Sequence, residues 1–196
     1  MTFVNWASRA LELVLEIVAG VIVVALTAIV VYAVVTRTLG FSPSWYDEVA
    51  SVLLAWLTYY ASALAALKRG HIGFDGVLMA LSPGPRLALA ALAEIIVLAF
   101  FAILAWTGMV VLDVLEGSTL VSLTWVPVQL TQSVIPIGAV LFIVAELLSM
   151  PGYFAKLRAG ISVEHEEVEH AVATAREEYG ADVEALLRGQ AGRARP

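Results

Sequence analysis

One segment constrains this chain more than any other: from Trp45 to Asp75 it reads WYDEVASVLLAWLTYYASALAALKRGHIGFD. Between Val49 and Leu67 it carries no charge, and with its flanks it is long enough to cross a hydrocarbon core of roughly 30 Å as a helix. Trp45 and Tyr46 mark one interface, Lys68 and Arg69 the other. Composition extends this reading to the whole chain. Hydrophobic residues make up 61% of it and the mean hydropathy is +0.90, against about half apolar residues in a soluble domain. The expected fold class is an all-α integral membrane protein.

The 196 residues leave room for a few spans and a short tail, so any function sits in or on the bilayer. A net charge of −6 without a basic stripe argues against nucleic acid as a partner, because phosphate neutralisation needs clustered Lys and Arg. Cysteine is absent, which removes disulfides, thiolate catalysis and cysteine metal sites.

Four spans are expected, at about 13–35, 45–67, 87–112 and 128–148, each near the 20 residues that a span needs. The first is expected to stay as a signal anchor: it is too long for a signal-peptide core, and no small-residue cleavage pattern follows it before Arg37. Arg9, the group Lys68, Arg69 and Arg86, and the pair Lys156 and Arg158 fall on one side of four alternating helices. The opposite loops hold Arg37 against Asp47, Glu48, Asp113 and Glu116. The positive-inside rule then places both termini in the cytoplasm. Residues 1–150 read as a membrane domain, 151–196 as a cytoplasmic acidic tail. Val168, Ala171, Val172, Ala175, Tyr179, Val183 and Leu186 recur in that tail at helical spacing, so it is expected to be amphipathic, with a possible break at Gly180.

The loops carry local signals. Ser44 followed by Asp47 reads as a capping box at the start of the second span, which makes the first two spans an antiparallel hairpin. The stretch 113–127 is expected to be extended or irregular near the interface. Gly70 to Arg86 reads as a short interfacial element, and SPGP at 82–85 as a chain break before the third span.

Ionisable groups inside a bilayer are expensive and call for an explanation. Glu12 and Glu16 lie in the first turns of their helix, where snorkelling suffices. Glu94 and Glu146 share the depth of Lys68 and Arg69, which points to structural ion pairing, with a functional role for Glu94 open. Arg37 faces Asp47 and Glu48 across a short loop, either as a salt bridge locking the hairpin or as a contact for a partner protein. His71 and Asp75 have i,i+4 spacing, but two ligands do not complete a metal shell; hydrogen bonding of the loop to neighbouring helices is the expectation. Ser51, Ala55, Thr58, Ser62 and Ala65 form a small-residue stripe that lets another helix approach closely. Pro136 and Gly138, after Gln129 and Gln132, suggest a proline kink in the fourth span, with a broken transporter helix as the alternative. No nucleophile elbow, phosphate loop or metal triad is present, so neither an enzyme nor a bound cofactor or metal is expected.

Taken together, Arg37, Trp45, Glu48, Trp56, Arg69, His71, Ile72 and Asp75, with the later Pro136-Ile-Gly138, resemble the small membrane subunit of tripartite ATP-independent periplasmic (TRAP) transporters. That family has an arginine closing the first span, a Trp and an acidic residue opening the second, and a basic-x-His-Ile element after it. The resemblance runs from the first span to Leu148 and excludes the tail. It implies a bacterial inner-membrane protein that pairs with a large multi-span permease, to which a soluble periplasmic binding protein delivers substrate. It further implies sodium-driven uptake of organic acids, with the small subunit acting as a scaffold through Arg37, Trp45, Asp47, Glu48, Trp56, Arg69, His71 and Asp75. One other class stays open at this point, a self-sufficient oligomeric exporter or channel built around Glu94 or Glu16. A membrane-bound enzyme subunit would require a cofactor ligand set, which His71, His165 and His170 do not supply in the bilayer.

Overall fold

The computed structural model describes residues 3–70, 75–161, 168, 172–175 and 179–180. Its elements are α1 (Phe3–Thr38), α2 (Tyr46–Lys68), a short α3 (Asp75–Ala80), α4 (Pro83–Val114), α5 (Val128–Gln132) and α6 (Val134–Ala159). No strand occurs among the described residues. Among the described residues four stretches are long and apolar enough to cross a membrane, with α5 and α6 together forming the last, Val128–Ala159. The all-α membrane class is therefore observed.

α1, α4 and α6 outrun their apolar runs. α1 has 36 residues, about 54 Å at the α-helical rise, and its end is set by the backbone rather than by hydropathy. Phe41 N–H donates to Thr36 C=O and Gly40 N–H to Arg37 C=O, with Gly40 at φ +82°. This is the Schellman stop, which favours glycine in the left-handed region. α6 closes in the same way at Gly160, φ +74°, with Ile161 N–H on Lys156 C=O and Gly160 N–H on Leu157 C=O. α6 also continues through Pro151, where the sequence suggests the change from span to tail.

Two local expectations are corrected. The helix after the first loop begins at Tyr46 with Trp45 at the cap, and no side chain caps it; Ser44 makes no capping box, because the cap falls one residue later. Of SPGP only Ser82 lies in the break ahead of the third span: Pro83, Gly84 and Pro85 are already its first turn. Proline is well suited there, because the first N–H groups of a helix have no intrahelical partner.

The chain divides into two compact units, Met1–His71 with Leu89–Gly152, and Ile72–Ala88 with Tyr153–Pro196. In the first, Leu15, Ala63, Ala66, Phe142 and Ala145 form the buried cluster, and the Phe101 and Phe142 rings stack at 3.6 Å. A Cβ on Gly138 would lie 2.7 Å from Tyr59 Cβ, and one on Gly108 would lie 3.0 Å from Pro136 Cδ. Small residues thus set the approach of α2 to α6 and of α4 to α6. In the second unit, the Arg86 guanidinium donates to the carbonyls of Leu78, Met79 and Leu81, and to that of Leu157. It satisfies the open end of α3 and ties it to the last turn of α6. Most of the expected tail helix lies outside the described residues; Val168, 172–175 and 179–180 are helical, Gly180 included.

The fourth span is interrupted at Ser133, between α5 and α6. Pro136 has no N–H to offer Gln132, and helical bonding resumes with Ile137 N–H on Ser133 C=O at 3.2 Å. Ser133 keeps right-handed helical dihedrals, so the feature is a proline kink. Loop 113–127 folds on itself through a Thr119–Pro127 bridge.

Gly138→Ala should lower the stability of the purified protein by about 1–3 kcal/mol through overpacking against Tyr59. Gly20→Ala, where nothing lies within 4 Å, should be neutral or mildly stabilising. Thermal unfolding in detergent compares the two.

Candidate functional site

The polar groups of the first unit gather at Arg69 and at Glu48. Arg69 is the residue after α2, with φ 57°, and it is the one non-glycine residue at positive φ among those described. Gly70 N–H reaches Ala65 C=O at 2.9 Å and Arg69 N–H reaches Ala66 C=O at 3.2 Å. This is the same stop as at Gly40 and Gly160, with arginine in the glycine position. A left-handed L-residue costs roughly 1–2 kcal/mol, and an outlier of that kind persists only where its surroundings over-determine it.

Those surroundings are α4 and α6. Arg69 Nη1 lies 2.5 Å from Glu94 Oε1 and 2.7 Å from Glu146 Oε1, with side-chain exposures of 17%, 9% and 8%. Its Nε donates to Ser149 Oγ at 2.9 Å and its Nη2 to Glu146 C=O at 3.4 Å. Ser149 Oγ donates onward to Glu146 C=O. One guanidinium thus joins the end of α2 to the middle of α4 and to α6, inside stretches that are otherwise apolar. The pairing expected of Glu94 and Glu146 converges on this single residue. Ser149, one turn beyond Glu146, is a partner that sequence reasoning missed; its i+3 spacing from a buried Glu was the available signal. Lys68, next in the chain, faces the other way and meets Glu12 at 3.1 Å and Glu16 at 2.6 Å. These three side chains are 39% to 46% exposed.

At the other end of α2, Glu48 accepts hydrogen bonds from Val121 N–H and Ser122 N–H, both at 2.8 Å, and from the Ser122 hydroxyl. The carboxylate pins loop 113–127 rather than Arg37. Arg37 forms no salt bridge with Asp47 or Glu48, so the hairpin lock is corrected: Glu48 is turned toward consecutive backbone donors that sequence could not place. Arg37, Tyr46 and Asp47 instead line a shallow groove with Val30, Ala33, Val34 and Ala50. Trp45 stacks on Tyr32 across the hairpin, with ring centroids 5.9 Å apart. Trp56 Nε1 donates to Thr131 C=O at 2.8 Å, beside the kink, and Gln129 Nε2 donates to Leu112 C=O at 2.8 Å. Ser51, Ala55 and Thr58 of the small stripe stay exposed, the two hydroxyls bonded back to their own helix. His71 lies outside the described residues. Asp75 opens α3, but its side chain is not described. No group of three metal-ligating side chains is found among the described residues.

Such an arrangement defines a multi-pass helical membrane protein whose intramembrane charges hold helices to one another. The family profile described as "Tripartite ATP-independent periplasmic transporters, DctQ component" matches residues 26–151. The chain therefore belongs to that family, the small permease component of TRAP transporters, and is a transporter component. A comparison with curated proteins finds no match.

Arg69→Met should destabilise the protein by about 3–5 kcal/mol, because it leaves two carboxylates buried without their cation. Lys68→Met should cost under about 1 kcal/mol, the usual worth of an exposed pair; chemical denaturation in detergent measures both. Glu48→Ala should speed amide exchange at Val121 and Ser122 by about tenfold, the equivalent of one hydrogen bond to a charged group. Exchange elsewhere in the helices should stay as in the wild type.

Proposed function

We propose that this chain is the scaffold subunit of a sodium-driven, binding-protein-dependent importer of organic acids, and that it works with a large multi-span permease. The observation that carries this reading is where the membrane charges go. Glu94 and Glu146 are held by Arg69, Glu12 and Glu16 by Lys68, and Glu48 by a loop backbone. Groups committed to one another in this way position helices and leave substrate chemistry to a partner. Family membership supports the same division of labour, since the component is one of a tripartite set.

On this reading the permease carries the substrate and sodium sites, and a periplasmic binding protein delivers the acid. Arg37, Trp45, Asp47, Glu48, Trp56, Arg69, His71 and Asp75 act through assembly or internal structure. The exposed small stripe on α2 lets a permease helix pack closely. The protein resides in the bacterial inner membrane with both termini and the 151–196 tail in the cytoplasm, an orientation supported by the Lys and Arg asymmetry between loops. An autonomous exporter built on Glu16 or Glu94 is disfavoured, because Glu16 is engaged by Lys68 and Glu94 by Arg69.

Vesicles reconstituted with this subunit alone should take up no organic acid, whereas subunit, permease and binding protein together should show sodium-dependent uptake. Uptake by the subunit alone would overturn the scaffold role. For orientation, Ser42→Cys in this cysteine-free chain should react with an impermeant thiol reagent added from the periplasmic side; reaction only after lysis would invert the topology.

A further inference from the structure

The Arg69 cluster is unbalanced as a set of charges: one guanidinium stands against two carboxylates. Both carboxylates touch the same nitrogen, Nη1, through their Oε1 atoms. Arg69 therefore compensates one of them and leaves a surplus negative charge. That surplus sits where solvent cannot answer it, with both side chains more than nine-tenths buried. Moreover, Glu94 Oε2 is fully buried and receives no donor from any described group. A buried carboxylate oxygen without a donor is costly, and like charges sharing a site do not both persist in a low-dielectric interior. Both Oε1 atoms lie within 2.7 Å of one nitrogen, so the two carboxyls are close neighbours, yet two ionised carboxylates have no proton with which to bond to each other.

We propose that the Arg69–Glu94–Glu146 cluster is a proton-binding site, in which one proton is shared between the Glu94 and Glu146 carboxyls. That proton gives the pair a donor, supplies the hydrogen bond between the two side chains and makes the cluster electrically neutral inside the membrane. The ligand is a single proton, taken up as the three helices assemble, and no other group changes its covalent state. The charged group facing the pair is the Arg69 guanidinium at the end of α2; from α6 comes the Ser149 hydroxyl, already bonded to Arg69 Nε. On α1, the packed neighbour, Glu12 and Glu16 are engaged by Lys68. The proposal is independent of what the complex transports.

Infrared spectroscopy of the purified full chain in lipid tests it. At neutral pH the spectrum should contain a protonated-carboxyl C=O stretch equivalent to one group per chain, shifted by slow deuterium exchange and lost at strongly alkaline pH. Glu94→Gln and Glu146→Gln should each abolish that band. Glu94→Asp, which keeps the carboxyl, should displace it and so identifies the site even where a glutamine variant fails to fold. Absence of the band from the wild type at neutral pH, or its persistence unchanged in all three variants, would overturn the proposal.

Discussion

The rest of the membrane unit depends on one arginine held in a conformation that suits glycine. Arg69 ends α2 in the left-handed region, and this turn sends its side chain to Glu94 on α4 and Glu146 on α6. Backbone strain and desolvation both oppose this placement. It is offset by two charge-assisted contacts on one nitrogen and by bonds to Ser149 and the Glu146 carbonyl. In a bilayer, where apolar side chains gain little by leaving lipid for protein, such specific polar contacts and close packing carry a larger share of helix association. The close packing is also present: Gly138 against Tyr59 and Gly108 against Pro136.

At the opposite end of α2 the interactions differ in kind. Glu48 captures two consecutive amides and a hydroxyl of loop 113–127, so that loop is shaped from outside its own sequence. Trp56 donates to a carbonyl next to the Pro136 kink, where the helix ladder is disturbed. α2 thus serves as the reference element of its unit. Its C-terminal end fixes α4 and α6, its middle supports the kink, and its N-terminal end holds a loop. The scaffold role proposed for the subunit calls for such a frame.

Much of this was legible in the sequence, and the rest was not for identifiable reasons. Hydropathy located four spans because the apolar runs are long, but it reads hydrocarbon rather than hydrogen bonds. It therefore missed the helix ends set at Gly40, at Pro83 and at Gly160. The depth argument brought Glu94 and Glu146 to the level of the basic pair, yet could not divide Lys68 from Arg69, which the left-handed turn sends to opposite sides. Ser44 looked like a cap and Arg37 like the partner of Glu48. Both inferences used nearest neighbours in sequence, whereas Glu48 finds its donors more than seventy residues away. Arg86 counted as a loop charge; its carbonyl contacts depend on the tertiary course of α3 and α6.

The Arg69 charges specify helix placement only as a complete set, and one comparison of unfolding free energies in detergent tests this most directly. Arg69→Gly relieves the backbone strain but strands two carboxylates, so it should be strongly destabilised. Combining it with Glu94→Gln and Glu146→Gln removes all three charges and should restore most of the lost stability, since a neutral replacement of a buried ionic set is often no less stable than the set itself. A single Arg69→Gly variant as stable as the wild type would contradict the account, as would a triple variant no better than the single one.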